Sequence, residues 1–151
     1  MIKMIFACAK SSDPLCNDYA FGLNSALPWP KNKEDFKYFQ EYTKNHVICC
    51  SRKTADTLPK SVYTTLGRSL FILERYHTKK DLPLNAVIIG GATIIKEWYQ
   101  CCDEISITYI EGQYDHDVTL DHRVVGSINK IMKLEDTKML NGYSIATIWG
   151  C

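Results

Sequence analysis

Asp35 is an acidic residue beside aromatic residues at the start of a predicted helix. Residues 27–43 open with two prolines, which favour a loop, and Asn32 then supplies a good N-cap. Phe36 and Phe39 follow Asp35 closely enough for its carboxylate to share their apolar face. Burial there requires a hydrogen-bonding ligand or water and moves the pKa towards neutral pH. The spacing thus indicates an acid for proton transfer, although Asn32-x-x-Asp35 is also typical of a capping box.

Two other segments have the residue types of phosphate-binding sites. Arg52 and Lys53 follow an apolar, strand-like run and precede a short predicted helix. Cations at a helix start bind anions, although a solvated basic turn has the same composition. Gly90-Gly91 follows a second apolar run and opens another helix. Backbone amides at such a turn bind pyrophosphate, although a lone Gly-Gly usually marks only a tight turn.

The composition excludes several classes of protein. The chain has 151 residues, of which 46% are hydrophobic and 23% charged, as expected for one globular domain over residues 1–151. Its net charge of +1 gives no support for nucleic-acid binding, and no apolar run suits a signal peptide or a membrane span. The seven cysteines include two adjacent pairs but no C-x-x-C spacing. We therefore expect free thiols in a reducing cytoplasm and no metal site.

Alternating strands and helices position these residues. Apolar or alternating runs predict strands at residues 2–9, 46–50, 69–73, 86–89 and 103–110, and a terminal hairpin of residues 130–134 and 143–149. Helices are predicted from residue 33, at 55–58 and at 94–100, whereas turn formers predict a long loop at 10–26. This order predicts an α/β three-layer sandwich with a mostly parallel central sheet and a C-terminal antiparallel hairpin.

The motifs, in this order, resemble dihydrofolate reductases over most of the chain. That family has Leu/Met-Pro-Trp, a short gap, an acid and two aromatics three residues apart. The matching residues here are Leu27, Pro28, Trp29, Asp35, Phe36 and Phe39. The family pattern Gly-Arg/Lys-x-Thr is matched by Arg52, Lys53 and Thr54, and the strand-turn-helix sequence IIGGA is matched at residues 88–92, where the family's Gly-Gly peptide is cis. Glu34 is the alternative acid if the gap is one residue shorter.

This resemblance implies an enzyme that uses NADPH to reduce 7,8-dihydrofolate to 5,6,7,8-tetrahydrofolate, with a hydride reaching pterin C6 and a proton reaching N5. It implies a catalytic set in which Asp35 pairs with the pterin, Thr108 orients Asp35, and Trp29 takes part. Arg68 would grip the α-carboxylate of the folate glutamate, because a guanidinium pairs bidentately with a carboxylate. The implied substrate-binding residues are Ile5, Ala7, Leu27, Asp35, Phe36, Phe39, Leu58, Arg68, Ile89 and Thr108. The implied cofactor-binding residues are Ala7, Phe21, Gly22, Arg52, Lys53, Thr54, Leu73, Arg75, Ile89, Gly90, Gly91, Ala92, Thr93 and Ile94.

The sequence also departs from the family pattern. Ser51 replaces the glycine of the basic turn, and Ile95 replaces a frequent aromatic. Arg75 stands where relatives hold the 2′-phosphate of NADPH, but Glu74 replaces the usual serine beside it, so its charge is expected to weaken phosphate binding. Only residues 74–85 separate two strands between which relatives place a further strand and helix. The adenine side of the cofactor site therefore looks trimmed.

The early loop carries a further resemblance. Residues 21–27 match the second half of the mobile loop that closes over nicotinamide in the family, and Asp117 matches an acid that contacts this loop in some relatives. The compact chain and its extended early loop are similar to viral members. We expect a monomer acting on a small molecule.

Two alternatives remain open. One is an NADPH-dependent pyrimidine reductase of riboflavin synthesis, which resembles this fold and shares a glycine-rich turn; the LPWP motif and the acid-aromatic helix argue against it. The other is a non-catalytic binding or structural protein on the same fold. The trimmed adenine side favours this reading, whereas Asp35, Arg68 and Thr108 speak against it.

Overall fold

The fold is a sheet of apolar strands with helices packed on both faces. The computed structural model describes residues 1–151. Its strands are β1 Lys3–Ser11, β2 Tyr19–Gly22, β3 Val47–Cys50, β4 Ser69–Ile72, β5 Ala86–Gly90, β6 Glu104–Tyr114, β7 Val118–Leu120, β8 Lys133–Asn141 and β9 Ser144–Gly150. Its α-helices are α1 Lys33–Thr43, α2 Arg52–Thr57, α3 Ser61–Thr64, α4 Ala92–Trp98 and α5 His122–Ile131, with 3-10 turns at Lys79–Asp81 and Tyr99–Cys101. None of the helices has the length and apolar content needed to cross a membrane.

The strand order creates a crevice at one edge of the sheet. The order is β4-β3-β5-β1-β6-β9-β8, and off this path β2 pairs with β1 while β7 pairs with β2. Neighbours from β4 to β6 are parallel, whereas β9 is antiparallel to both β6 and β8. This confirms the predicted class, with its mostly parallel centre and antiparallel C-terminal hairpin. The chain leaves β1 towards β3 but leaves β5 in the opposite direction towards β6, so ligands are expected at the carboxyl ends of β1 and β5.

Alternate side chains of β1 face opposite helical layers, as the two-residue period of a strand requires. Met4 and Phe6 belong to the larger core cluster together with Ile95 of α4. Ile5 belongs to a smaller cluster together with Tyr38 of α1. Helices α1 and α4 therefore cover opposite faces, and the crevice lies between their layers.

The long loop predicted for residues 10–26 is wrong at both its start and its middle. Strand β1 continues to Ser11, and Tyr19–Gly22 forms β2. β2 pairs with β1 and with β7, where Tyr19 lies opposite Leu120. Because β7 is distant in sequence, local turn propensity could not reveal this strand.

The C-terminal hairpin is confirmed, but its first strand is misplaced in the prediction. β8 begins at Lys133 instead of residue 130, because α5 continues to Ile131. The sequence pattern does not predict this helix. α5 is stabilised by its N-cap Asp121, whose side chain accepts a hydrogen bond from the backbone N–H of Arg123, and by a buried apolar face.

The connection between β4 and β5 is as short as predicted. Residues 74–85 contain one 3-10 turn and no strand, so β4 is the outer strand on this side of the sheet. Any ligand group that lies beyond β4 has only this connection to pack against.

Candidate active site

Helix α1 carries Asp35 in its first turn. The Asn32 side chain accepts a hydrogen bond of 3.0 Å from the backbone N–H of Asp35, which caps the helix. The carboxyl makes no return bond to the Asn32 backbone, so the arrangement is an N-cap and not a capping box. Asn32 itself is buried and is held by Asn141 and Ser144 of the C-terminal hairpin. The carboxyl of Asp35 is thus left free for another partner.

The environment of this carboxyl is set by burial and by Thr108. Burial raises the pKa of Asp35 to about 6, and a side-chain hydrogen bond with Thr108 opposes that rise without cancelling it. Thr108 is 1% exposed and lies opposite Ala7 in the pairing of β6 with β1. Asp35 therefore lies over the central strands with a pKa suited to proton exchange near neutral pH.

Apolar side chains form a wall beside Asp35. Phe36 and Phe39 stack with ring centroids 6.4 Å apart. Phe39 packs with Ile5 and Ile89 against the smaller core cluster, while Phe36 is 46% exposed. The buried side chains of α1 are Tyr38 and Thr43, so Phe36 does not share the buried face as its spacing predicted. An exposed phenylalanine beside a half-buried acid leaves apolar surface for a ligand to cover.

Trp29 lies beneath the loop that precedes α1. It is 5% exposed and packs edge-on against Tyr114, with ring centroids 6.1 Å apart. Its buried Nε1 donor has no hydrogen-bond partner, a condition that costs roughly 1–3 kcal/mol and that a water or ligand oxygen would relieve. A cavity of about 220 Å³ lies beside Trp29 and Tyr114 but does not include Asp35. Leu27, in the same loop, is 56% exposed.

Arg68 is a buried cation without an acidic partner. It is 6% exposed, and burial lowers its pKa. Its guanidinium donates to the Ser61 and Thr65 carbonyl oxygens and to the Thr65 and Thr43 hydroxyls, at 3.0–3.2 Å. None of these acceptors carries a charge, so the side chain is oriented but its charge is not neutralised. Such a site favours a ligand carboxylate.

Asp35 and Arg68 lie towards opposite ends of α1. Arg68 donates to Thr43, the last residue of that helix, whereas Asp35 lies in its first turn. The rise of 1.5 Å per residue separates Asp35 from Thr43 by about 12 Å. The sequence predicts both residues as substrate contacts, and the fold aligns them along one helix with Phe39 between them. Leu58, also predicted, is half-buried at the end of α2.

The basic turn and the glycine turn meet at the carboxyl edge of the sheet. The Ser51 N–H donates to the Gly90 carbonyl oxygen at 3.1 Å. A Cβ on Gly91 would lie 3.2 Å from the Thr54 hydroxyl, and the Gly90-Gly91 peptide is cis, as the resemblance predicts. Ser51, which replaces the family glycine, caps α2 by accepting from the Thr54 N–H at 3.2 Å. The fold therefore joins two of the predicted phosphate-binding segments into one surface.

Charged side chains of both signs flank this surface. Arg52, Lys53 and Arg75 are exposed. Glu74 lies 3.5 Å from Arg52, so the predicted interference of this acid with the basic cluster has a direct structural basis. A phosphate bound here would compete with Glu74 for Arg52.

Several predicted cofactor residues pack mainly into the core. Leu73 is 3% exposed within the larger cluster, and Phe21, Ala92 and Ile94 pack against that cluster. Their side chains pack under the edge of the sheet, so at most part of their surface can contact a cofactor. Thr93 is exposed at the start of α4. Gly22 packs against Val118 of β7.

Asp117 contacts the early loop, as the resemblance predicts. Its carboxylate accepts from the Asn24 N–H at 2.9 Å, and its own N–H donates to the Gly22 carbonyl oxygen at 2.9 Å. A second contact, which the sequence pattern does not indicate, joins Asp18 to the ring of His122 at 2.7 Å. Neither contact can be predicted from the local sequence, because the partners are distant along the chain.

Comparison with known proteins agrees with the resemblance seen in the motifs. No protein-family model matches the chain. It is 25% identical over 125 residues to the dihydrofolate reductase type 8 of Escherichia coli, covering 66% of this chain and 72% of that protein. It is 28% identical over 107 residues to a dihydrofolate reductase of Staphylococcus aureus, covering 64% and 67%. A shorter match to the dihydrofolate reductase type A10 of Escherichia coli is 34% identical over 70 residues, or 46% and 36% of the two chains. The predicted resemblance to this family is thus confirmed, at low identity.

Proposed function

We propose that this chain is a dihydrofolate reductase that converts 7,8-dihydrofolate into 5,6,7,8-tetrahydrofolate with NADPH. The observation that carries the proposal is the half-buried Asp35 carboxyl, which lies beside Thr108 of β6 and the exposed ring of Phe36; this burial raises its pKa to about 6. The names of the curated relatives support it independently. The reaction forms a C6–H bond with the electron pair of a hydride, and the π electrons of the pterin N5=C6 bond take up a proton at N5.

Asp35 would bind the pterin and control this proton. Its two oxygens suit the 2-amino group and N3–H of the pterin, which are neighbouring donors. These hydrogen bonds favour the ionised carboxylate and offset its burial. The resulting negative charge beside the ring favours protonation of N5. Thr108, by donating to the same carboxyl, would act as a positioning residue.

The apolar wall would hold the ring and its benzoyl extension. Phe39, Ile5 and Ile89 form its buried part, and the exposed Phe36 and Leu27 would be covered by the ligand. Contact with these side chains excludes water from the reacting atoms and fixes their approach. No nucleophile is required, because the protein forms no covalent bond in this reaction.

Arg68 would bind the α-carboxylate of the glutamate tail. Its charge has no acidic partner, and its internal hydrogen bonds hold the guanidinium in one orientation. The distance of about 12 Å along α1 is one that a pterin with a para-substituted benzoyl group can bridge. Binding would neutralise a cation that burial otherwise makes costly.

The surface formed by Ser51–Thr54 and Gly90-Gly91 suits a dinucleotide. Gly91 has no Cβ against the Thr54 hydroxyl, so a phosphate can approach the backbone closely. Arg52, Lys53 and Arg75 supply positive charge, and Arg75 would select the 2′-phosphate of NADPH. When bound, NADPH supplies the hydride for pterin C6.

We further propose that the protein acts as a monomer in a reducing cytoplasm. All seven of its cysteines are free thiols, in agreement with such a compartment. Size-exclusion chromatography with light scattering checks the monomer.

The activity is tested by following NADPH oxidation with and without dihydrofolate. We expect oxidation only when dihydrofolate is present, with tetrahydrofolate as the product and a turnover on the order of 10 s⁻¹. Asp35→Asn should lower turnover at neutral pH about 100-fold or more and recover in part under acid, where substrate arrives protonated. Glu34→Gln is the matched control and should keep wild-type turnover.

Three outcomes would contradict parts of this proposal. Oxidation of NADPH at the same rate with and without dihydrofolate would contradict the proposed reductase activity. Normal turnover by Asp35→Asn together with lost turnover in Glu34→Gln would identify Glu34, and not Asp35, as the acid of the site. Reduction of a riboflavin-pathway pyrimidine instead of dihydrofolate would select the alternative enzyme.

A further inference from the structure

Three aromatic rings contact one another in a row where the chain leaves β4. The ring centroids of Phe71 and His77 lie 5.1 Å apart with an interplanar angle of 45°, and those of His77 and Tyr76 lie 4.5 Å apart with an angle of 51°. Phe71 packs against the larger core cluster, His77 is half-buried, and Tyr76 is 78% exposed. The row therefore runs from the core to solvent and ends in one open aromatic ring.

Hydrogen bonds fix the turn that carries this ring. The Glu74 N–H donates to His77 Nδ1 at 2.8 Å, and the His77 N–H donates to the Glu74 carbonyl oxygen at 3.1 Å. Since Nδ1 accepts, the neutral imidazole carries its proton on Nε2. The His77 residue is thus held through both its backbone and its side chain, and its ring contacts the Tyr76 ring at an angle of 51°. Single exposed aromatics are common, but this ring contacts a neighbouring ring that is itself held in place.

The position of the turn matches one end of the dinucleotide surface. β4 lies two strands from β5, which places the turn roughly 10 Å from Gly90-Gly91 at the usual strand spacing. Arg52 reaches Glu74 at 3.5 Å, and the exposed Arg75 follows Glu74 in the turn. The chain then passes only through the 3-10 turn Lys79–Asp81 before β5.

We infer that Tyr76 is the adenine platform of the cofactor site, stacking on the purine while Arg75 and Arg52 face its phosphates. This inference rests on the proposed function, because it names the residue that binds the adenine end of NADPH. Every purine has a π face that an aromatic side chain can cover. The turn that carries Tyr76 takes the place of the wall that the short connection lacks.

Binding measurements with three probes test the inference without turnover. Isothermal titration would use NADPH, adenosine 2′,5′-bisphosphate, which contains the adenine end alone, and reduced nicotinamide mononucleotide, which lacks it. Tyr76→Ala should weaken the first two about tenfold or more and leave the third unchanged, within the range known for base–aromatic stacking. Tyr76→Phe keeps the ring and should bind like wild type. Leu84→Ala removes another exposed side chain of the same connection, 87% exposed, and serves as the control.

The outcomes separate this inference from the proposed function. An affinity of Tyr76→Ala for adenosine 2′,5′-bisphosphate within twofold of wild type would overturn the platform. Equal weakening by Tyr76→Phe and Tyr76→Ala would overturn stacking. No binding of adenosine 2′,5′-bisphosphate by wild type would overturn the platform as well. Binding that depends on the Tyr76 ring, in a protein that does not reduce dihydrofolate, would support the platform and reject the proposed reaction.

Discussion

Replacing Asp35 with asparagine is expected to stabilise the fold at neutral pH and to have little effect on stability under acid. Burial raises the pKa of this carboxyl from 3.8 to about 6 in the folded protein. The folded state therefore binds more protons than the unfolded state between these two values, and stability falls as the pH rises through that window. Asparagine carries no charge at any pH and avoids this loss.

The size of the effect follows from the same two values. A step from 3.8 to about 6 corresponds to ~3 kcal/mol at 1.36 kcal/mol per pH unit. Asp35 is only half-buried, so solvent screens part of this, and about 1–2 kcal/mol is expected above pH 7. In a chain of this length the melting temperature of Asp35→Asn should then exceed that of wild type by roughly 2–8 °C.

Urea unfolding of both proteins from about pH 4 to about pH 8 measures this difference. All other titrating groups are shared, so the difference between the two curves isolates Asp35. Glu34→Gln removes the neighbouring acid, which is exposed, and is measured in parallel as the control for the loss of one acidic side chain. The reasoning would be refuted if the difference in the free energy of unfolding between Asp35→Asn and wild type stayed constant with pH, or if the variant became less stable relative to wild type as the pH rises.

Three further changes test other parts of the site. Arg68→Leu should raise the KM for dihydrofolate about 10- to 100-fold, because a charge-assisted bond is lost, and should change far less the KM of a pterin that lacks glutamate; equal changes would reassign Arg68. Glu74→Ser should increase the affinity for NADPH about threefold to tenfold in equilibrium binding and leave the affinity for NADH unchanged. An equal effect on both cofactors would contradict a role of Glu74 in weakening the binding of the 2′-phosphate. Thr108→Val removes a hydrogen bond that lowers the pKa of Asp35, so the pH profile of kcat should move to higher pH; a shift to lower pH would exclude this bond.

Helix α1 could be predicted from the sequence because its signals are local. Asn32 caps it as expected, and the helix begins at Lys33, where it was predicted to begin. Strand β2 was missed because its pairing with β7 joins segments that are distant in sequence. Helix α5 was missed because Gly126 and Asn129 weaken its local helix propensity, and its stability comes from packing against the core.

The site was predicted in part for a similar reason. The resemblance identified Asp35, Thr108 and Arg68, but burial and hydrogen-bond partners depend on the folded chain. The missing acidic partner of Arg68 and the orphaned Nε1 of Trp29 have no sequence signal. The same holds for Tyr76, whose contact with the His77 ring depends on the folded turn.

The central claim is that Asp35 is a partly buried acid that clamps a pterin, and its titration tests this most directly. Carboxyl-carbon NMR of the protein with labelled aspartate, with Asp35→Asn assigning the signal, reports the pKa with and without folate. The free protein should titrate at about 6, and folate should move the pKa downward, because the pterin donors stabilise the charged form. A carboxyl that titrates near 3.8 and does not respond to folate would contradict the claim.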